Sequence, residues 1–235
     1  KSSQHDGKWL VLESEDLNLV ASPPQVRTQR ISDIKFSPDG RWVAVGCADN
    51  CIDIYAVADN AFEHKKELRG HSSFIRTIDW SADSLNLQSC CGAHELLYWS
   101  LYQEKGHDGR VFRPHQEKLS SKMKDVEWHT FSAIFGWPVR GIWPEDTDGT
   151  DVNACARSNG AEDSQGLLAT ADDFGKVKLF RWPCIVPRAQ HRPYGGHSSH
   201  VTSVRFTHQD NWLISTGGQD RAVFQWQVVP ARGGS

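Results

Sequence analysis

An all-β chain made of repeated four-stranded sheets, the blades of a β-propeller, is the fold that the sequence predicts, and three observations predict it. First, a strand-and-turn motif recurs. Ile31-Ser-Asp-Ile34-Lys-Phe36-Ser37-Pro-Asp39 is matched without a gap by Ile75-Arg-Thr-Ile78-Asp-Trp80-Ser81-Ala-Asp83, a step of 44 residues. Val201-Thr-Ser-Val204-Arg-Phe206-Thr207 is a third copy, and Val152-Asn-Ala-Cys155-Ala-Arg157-Ser158 a weaker one. A period of about 40–45 residues carrying several short strands means a propeller blade. Second, ten Trp stand against a single Met, a usage that suits short packed strands with aromatic ends. Third, no stretch of a dozen residues keeps the 3.6-residue period of an amphipathic helix.

The elements of each repeat follow from local chemistry. An alternating run puts Ile, Val, Phe or Trp on one face of a first strand. A turn comes next; in Ser37-Pro-Asp-Gly40, Pro presets φ and Gly accepts a positive φ. Second strands are expected at Trp42 to Val45, Leu87 to Cys91, Leu167 to Ala171 and Trp212 to Thr216. Third strands ending in an aromatic residue are expected at Cys51 to Tyr55, Glu95 to Trp99, Lys176 to Phe180 and Ala222 to Trp226. Lys8 to Leu12 and Leu17 to Ala21 read as the last two strands of a preceding blade. The expected division is thus about four to five blades. Residues 1–30 end one blade and 31–70 form the next. Residues 71–124 form a blade with a long exposed loop over 103–121. Residues 125–196 form a divergent blade with an aromatic insertion around Phe131 to Trp143, and 197–235 the last blade and a tail.

Composition excludes several functions. The formal net charge of −3, from 26 Lys+Arg and 29 Asp+Glu, offers no general attraction to nucleic acid or an anionic membrane. Lys118 to Lys124 is the best candidate for a local basic patch, and it reads first as a solvated loop. No run reaches the roughly 18 apolar residues of a membrane span, and no secretory leader is visible. The chain starts in mid-pattern without Met and reads as an excised piece. Six cysteines without a C-x-x-C pair predict neither disulfides nor a zinc site, and fit a reducing compartment. Asp172-Asp173 and the acidic stretch Asp146 to Asp151 read as turns, because a calcium loop needs more oxygen ligands and a distal Glu. No phosphate-binding, dinucleotide, zincin or nucleophile-elbow motif is present. No metal, cofactor, small-molecule substrate or enzymatic activity is therefore expected.

Gly70-His71 through Trp99 and Gly196-His197 through Trp226 resemble WD40 repeats. Longer segments resemble a narrower family, the echinoderm microtubule-associated protein-like proteins. They are Lys8-Trp-Leu-Val-Leu12, Gly70-His-Ser-Ser-Phe74, Asp125-Val-Glu-Trp128, Gly141-Ile-Trp-Pro-Glu145, Ala171-Asp-Asp-Phe-Gly175 and Leu213-Ile-Ser-Thr-Gly-Gly-Gln-Asp220. The resemblance implies the C-terminal part of the second of two joined propellers. It implies association with tubulin or microtubules, in the cytoplasm and on the cytoskeleton, including the ciliary axoneme. The family's main microtubule affinity lies in a basic N-terminal region with a coiled coil, which this sequence does not contain. An adaptor binding non-tubulin proteins is the alternative, and a propeller enzyme the third reading.

The WD40 resemblance also assigns candidate residues. His197, Thr216, Asp220 and Trp226 are expected to form a buried hydrogen-bonded chain that is structural rather than catalytic. The first blade has Val45 and Tyr55 in place of the hydroxyl and Trp. The second has His71, Ser89 and Trp99 but Ala93 at the acidic position. The third has Phe174 and Phe180. Only the last blade is expected to own the full set. Partner contacts are expected on the turns bearing Phe74, His94, Phe174, His200 and Arg221, since aromatic and Arg side chains dominate binding energy. The aromatic stretch at Phe131, Phe135, Trp137 and Trp143 is expected to pack internally. An incomplete ring would leave unpaired sheet edges and a tendency to aggregate.

Overall fold

The computed structural model describes residues 7–104, 109–144, 147, 149–160 and 166–229. They are almost entirely antiparallel β-structure, in two compact units, Lys1–His129 and Thr130–Ser235. Unit 1 opens with a two-stranded sheet of β1 (Val11–Leu12) and β2 (Leu19–Ala21). Two four-stranded meanders follow. One joins β3 (Ile31–Phe36), β4 (Trp42–Cys47), β5 (Cys51–Ala58) and β6 (Ala61–Arg69). The other joins β7 (Ile75–Trp80), β8 (Asn86–Cys91), β9 (Leu96–Glu104) and β10 (Arg110–Glu117). Unit 2 holds a four-stranded meander of β11 (Val152–Arg157), β12 (Leu167–Asp172), β13 (Lys176–Arg181) and β14 (Arg192–Gly195), and a three-stranded one of β15 (Val201–Phe206), β16 (Trp212–Gly217) and β17 (Val223–Gln227).

Repetition in sequence becomes repetition in geometry. The first strand of every meander shifts register one residue after its start: between Ile31 and Asp33, Ile75 and Thr77, Val152 and Ala154, and Val201 and Ser203. The extra residue of a bulge is left out of the ladder. In two meanders its hydroxyl bonds the neighbouring strand instead: Ser32 Oγ donates to the Gly46 carbonyl and Thr202 Oγ1 to the Thr216 carbonyl, each at 3.0 Å. The turn after the first strand also repeats. Gly40 N–H donates to Ser37 O at 2.9 Å with φ at 71°, and Ser84 N–H donates to Ser81 O at 3.0 Å with φ at 61°.

The core of unit 1 lies between its two meanders. Ile52, Ile54 and Leu68 pack with Ile75, Ile78, Leu87, Trp99 and Leu101. Second strands are buried on both faces, which is why β4 and β8 lack a polar alternation. Gly46 sits at the closest approach, where a Cβ would stand 2.6 Å from Ile75. Polar groups latch the same two sheets. Ile78 N–H donates to Asp33 Oδ2 at 2.8 Å, Lys35 Nζ reaches Asp79 Oδ1 at 2.8 Å, and Trp80 Nε1 donates to the Lys35 carbonyl at 3.0 Å. In unit 2, Ala154, Ala169, Ala171 and Val177 pack with Val201, Val204 and Leu213.

One expectation fails. The exposed loop expected over 103–121 is largely the end of β9 and the whole of β10, a strand antiparallel to β9. Phe112 pairs with Tyr102 and stacks on Trp42 at 4.5 Å, which docks the hairpin on the preceding sheet. Pro114 falls where the register shifts, between Phe112 and His115, the position where a missing N–H does least harm. Gly, Lys, Arg and Pro so close together hid the strand from its composition. Residues 105–108 at the tip lie outside the described residues, as do Asp146 and Asp148 of the acidic stretch.

The aromatic insertion packs internally for the most part. Phe131, Ala133, Ile134, Val139 and Ile142 are buried, whereas Trp137 is 62 % exposed. The insertion is tied to the loop after β13, with Gly141 N–H donating to Cys184 O at 2.7 Å and Cys184 N–H to Pro138 O at 2.8 Å.

Among the described residues, β17 pairs only with β16, and Val223 on it is 68 % exposed. Open apolar edges template association, and an edge lysine blunts them. Val223→Lys is expected to reduce concentration-dependent self-association, read by light scattering, with thermal stability changed by less than about 0.5 kcal/mol.

Candidate interaction surface

Two buried hydrogen-bonded chains set the shape of the turns. In the last meander, Trp226 Nε1 donates to Ser215 Oγ at 2.8 Å, His197 Nε2 lies 2.8 Å from the same oxygen, and His197 Nδ1 lies 2.9 Å from Asp220 Oδ2. Ser198 N–H and Ala222 N–H donate to the Asp220 carboxylate, so the chain runs from the strand core to the rim. Hydrogen bonding, first that from Ala222, holds the Asp220 carboxyl below the usual range. The hydroxyl is therefore Ser215 and not Thr216. Thr216 points to the other face and meets Thr202 Oγ1 at 2.9 Å. Side chains alternate along a strand, so a slip of one residue moves a group to the opposite face. The correct position was readable: Val45, Ser89 and Ser215 each follow the anchoring Ile34, Ile78 or Val204 by the same interval and pair with it.

The second chain was not expected to be complete, yet it is. Trp99 Nε1 donates to Ser89 Oγ at 2.8 Å and His71 Nε2 lies 2.7 Å from that oxygen. The acidic end is Glu95, not the residue at position 93. Its Oε2 lies 3.4 Å from His71 Nδ1 and accepts Ser72 N–H at 2.9 Å. The longer side chain of Glu reaches back from two positions further along a turn that is one residue shorter. The Ser72 backbone bond, then bonds from Cys91 and the Ser72 hydroxyl, pull the Glu95 carboxyl down to about 2. Burial pushes His71 below its ordinary 6.5.

Both shifts act in one direction with pH. A depressed histidine contributes stability above 6.5 that is lost as pH falls through its folded value, and the depressed Glu95 contributes above about 4.5, lost toward about 2. The melting temperature is expected to fall continuously on acidification from pH 7 to pH 3; Glu95→Gln is expected to keep the fall between pH 6.5 and 4.5, which belongs to His71, and to lose the part below about pH 4.5. A flat profile down to pH 4.5 would contradict this.

In an antiparallel meander, the entry to the first strand and the turn between the second and third strands lie at the same end. Phe74 precedes β7 and His94 occupies the β8–β9 turn; Phe74 is 39 % exposed and His94 is exposed. Gly92 is held under the Phe74 ring and donates its N–H to Phe74 O at 2.9 Å. In unit 2, Phe174 sits on the β12–β13 turn and is 68 % exposed. Gly175 beside it abuts the carbonyls of His197 and Ser199 at φ 71°, which brings that turn against the segment leading to His200. His200 is half-buried over Gly218, and Arg221 is exposed. His94 and Arg221 occupy equivalent left-handed positions, φ 65° and 52°, donating their N–H to Cys91 O and Gly218 O. The basic run at Lys118 to Lys124 keeps exposed side chains, but Lys122 pairs with Glu117 at 2.9 Å. All six cysteines are buried, and none forms a disulfide.

Comparison with known proteins places this geometry. The family model described as the echinoderm microtubule-associated protein second β-propeller matches residues 3–228. The chain is 46 % identical over 226 residues to the 77 kDa echinoderm microtubule-associated protein of Strongylocentrotus purpuratus, covering 95 % of this chain and 31 % of that protein. It is 42 % identical over 229 residues to human echinoderm microtubule-associated protein-like 3, covering 97 % of this chain and 24 % of that one. Human echinoderm microtubule-associated protein-like 1 is 43 % identical over 225 residues, covering 95 % and 26 %. The chain thus spans about a quarter to a third of the length of these relatives. With repeated antiparallel blades and a family match across nearly its whole length, the chain belongs to the echinoderm microtubule-associated proteins, in the second β-propeller of that family.

Proposed function

We propose that this chain is a non-catalytic protein-interaction scaffold that contributes tubulin or microtubule contacts to a cytoskeletal protein of the cytoplasm. The observation that carries the reading is kinship with relatives named for microtubule association, at 40–46 % identity across most of the chain. The rim supports it physically. Phe174 and Arg221 are exposed on turns held by part-buried hydrogen bonds, so little conformational entropy is lost when a partner is met. The histidine–carboxylate pairs are committed to strand-holding chains, and they support turns rather than chemistry.

Sedimentation velocity with soluble tubulin tests the proposal. Co-migration that weakens in Arg221→Glu and in Phe174→Ala is the expected result. Unchanged co-migration in both variants would move the contact off this rim. No co-migration at micromolar concentration would favour an adaptor for non-tubulin proteins.

A further inference from the structure

At the rim of the β7–β10 meander, the His71–Glu95 end of the strand-holding chain meets a thiol, Cys91. His71 Nδ1, Cys91 Sγ and a Glu95 carboxylate oxygen all lie within 4.8 Å of one another. Cys91 Sγ stands 3.1 Å from Glu95 Oε2, and His71 Nδ1 3.4 Å from the same oxygen. In a tetrahedral zinc site, with bonds of about 2.0–2.3 Å, neighbouring ligand atoms stand roughly 3.3–3.6 Å apart. The two spacings to Glu95 are thus already close to those of a coordination shell, and the imidazole and the thiol need to close only from within 4.8 Å. His71 and Cys91 are buried and Glu95 is half-exposed, which leaves one side of the cluster open to the rim.

We propose that His71, Cys91 and Glu95 form a binding site for a borderline-soft divalent cation, zinc being the best fit, with water as the fourth ligand. The donor set is chemically complete for that ion: one imidazole nitrogen, one thiolate and one carboxylate. It is also neutral in sum, because the two anionic ligands balance the two positive charges of the metal. Proton balance closes as well. Cys91 loses its thiol proton to solvent. The neutral His71 ring moves its proton from Nδ1 to Nε2, where it donates to Ser89 Oγ. That oxygen already accepts Trp99 Nε1–H and has a second lone pair for the imidazole. Ser89 then plays the outer-shell part of fixing the tautomer of a metal-bound histidine. Ser72, bonded to Glu95 Oε1 at 2.8 Å, orients the carboxylate.

The other meanders serve as internal controls. The last one has the same histidine and carboxylate, His197 and Asp220, but Gly217 stands at the register position of Cys91. The β3–β6 meander has Cys47 at that position, and there the Arg27 guanidinium supplies the positive charge to Asp49, Asp53 and Glu67. Among the described residues, Glu95 has no lysine or arginine partner. The site escapes a sequence search because its ligands fall at 71, 91 and 95 and include no C-x-x-C pair.

The test is titration of the 235-residue chain with Zn²⁺ by calorimetry in buffers of different ionisation enthalpy, and with Co²⁺ by absorption. The expected result is one ion per chain, release of about one proton, and a thiolate-to-cobalt charge-transfer band. Cys184→Ser should retain all three. Cys91→Ser should abolish the band and weaken binding beyond the roughly 10–100-fold typical of an outer-shell loss. Glu95→Gln keeps the size of the side chain and loses its charge, and it should weaken binding even if the serine variant folds poorly. Absence of saturable binding, or equal binding by wild type and Glu95→Gln, would overturn the proposal.

Discussion

Arg27→Met is expected to destabilise unit 1 by about 3–5 kcal/mol, the usual result of leaving a buried charge without its partner. Arg27 lies in the segment between β2 and β3, and its guanidinium meets three carboxylates. Nε and Nη2 donate to the two oxygens of Asp53 at 2.7 and 2.8 Å, Nη1 reaches Asp49 at 3.2 Å, and Nη2 reaches Glu67 at 2.9 Å. His64 Nε2 adds a further contact to Asp53 at 2.8 Å. The Asp53 side chain is 1 % exposed and cannot turn to water when the guanidinium goes. The bonds to Asp53, foremost among the causes, raise the Arg27 pKa further above its already high value. The melting temperature should drop by roughly 6–20 °C for a unit of this size. Asp53→Asn added to Arg27→Met should recover part of the loss. Arg41→Met removes an ion pair with Asp39 in which the Arg41 side chain is 67 % exposed, and should change stability by less than about 1 kcal/mol. Equal effects for Arg27 and Arg41 would contradict the account of the cluster.

Ser215→Ala should cost about 1–3 kcal/mol, and Thr216→Ala less than about 1 kcal/mol. Ser215 is fully buried and holds both Trp226 Nε1 and His197 Nε2, so the alanine leaves two buried polar groups unpaired. Thr216 is half-buried, and the groups it leaves reach solvent. Paired chemical denaturation curves check the ranking. The reverse order would mean that β16 is in another register. Ser89→Ala should repeat the Ser215 result in the β7–β10 meander, because Ser89 holds Trp99 and His71 in the same way.

Much of the architecture was readable because it repeats. The copies at Ile31, Ile75, Val152 and Val201 mark the four first strands, and the aromatic residues mark third strands from Tyr55 to Trp226. What stayed hidden has separate physical reasons. β10 is built from Arg, Pro, His and Gln, and becomes a strand through pairing with β9 and the stacking of Phe112 on Trp42. Ser215 was missed by one position because two adjacent hydroxyls compete, although the constant interval from the first strand separates them. Glu95 was missed because a longer side chain substitutes for a fixed position. The Arg27 cluster gathers residues 27, 49, 53, 64 and 67, which share no motif. Only the folding of β4 to β6 brings them together. The rim residues were chosen by turn chemistry; the structure adds that His94 and Arg221 take the same left-handed conformation, which composition alone does not reveal.

Microtubule co-sedimentation at low and high salt, with wild type, Arg221→Glu, Phe174→Ala and Lys118→Glu, tests the central claim most directly. The scaffold reading predicts saturable pelleting at low salt, weakened by added salt as exposed charges are screened. It predicts loss in the two rim variants and little change in Lys118→Glu. Pelleting unaffected by either rim variant, or no pelleting under any condition, would contradict a microtubule-binding rim on this chain.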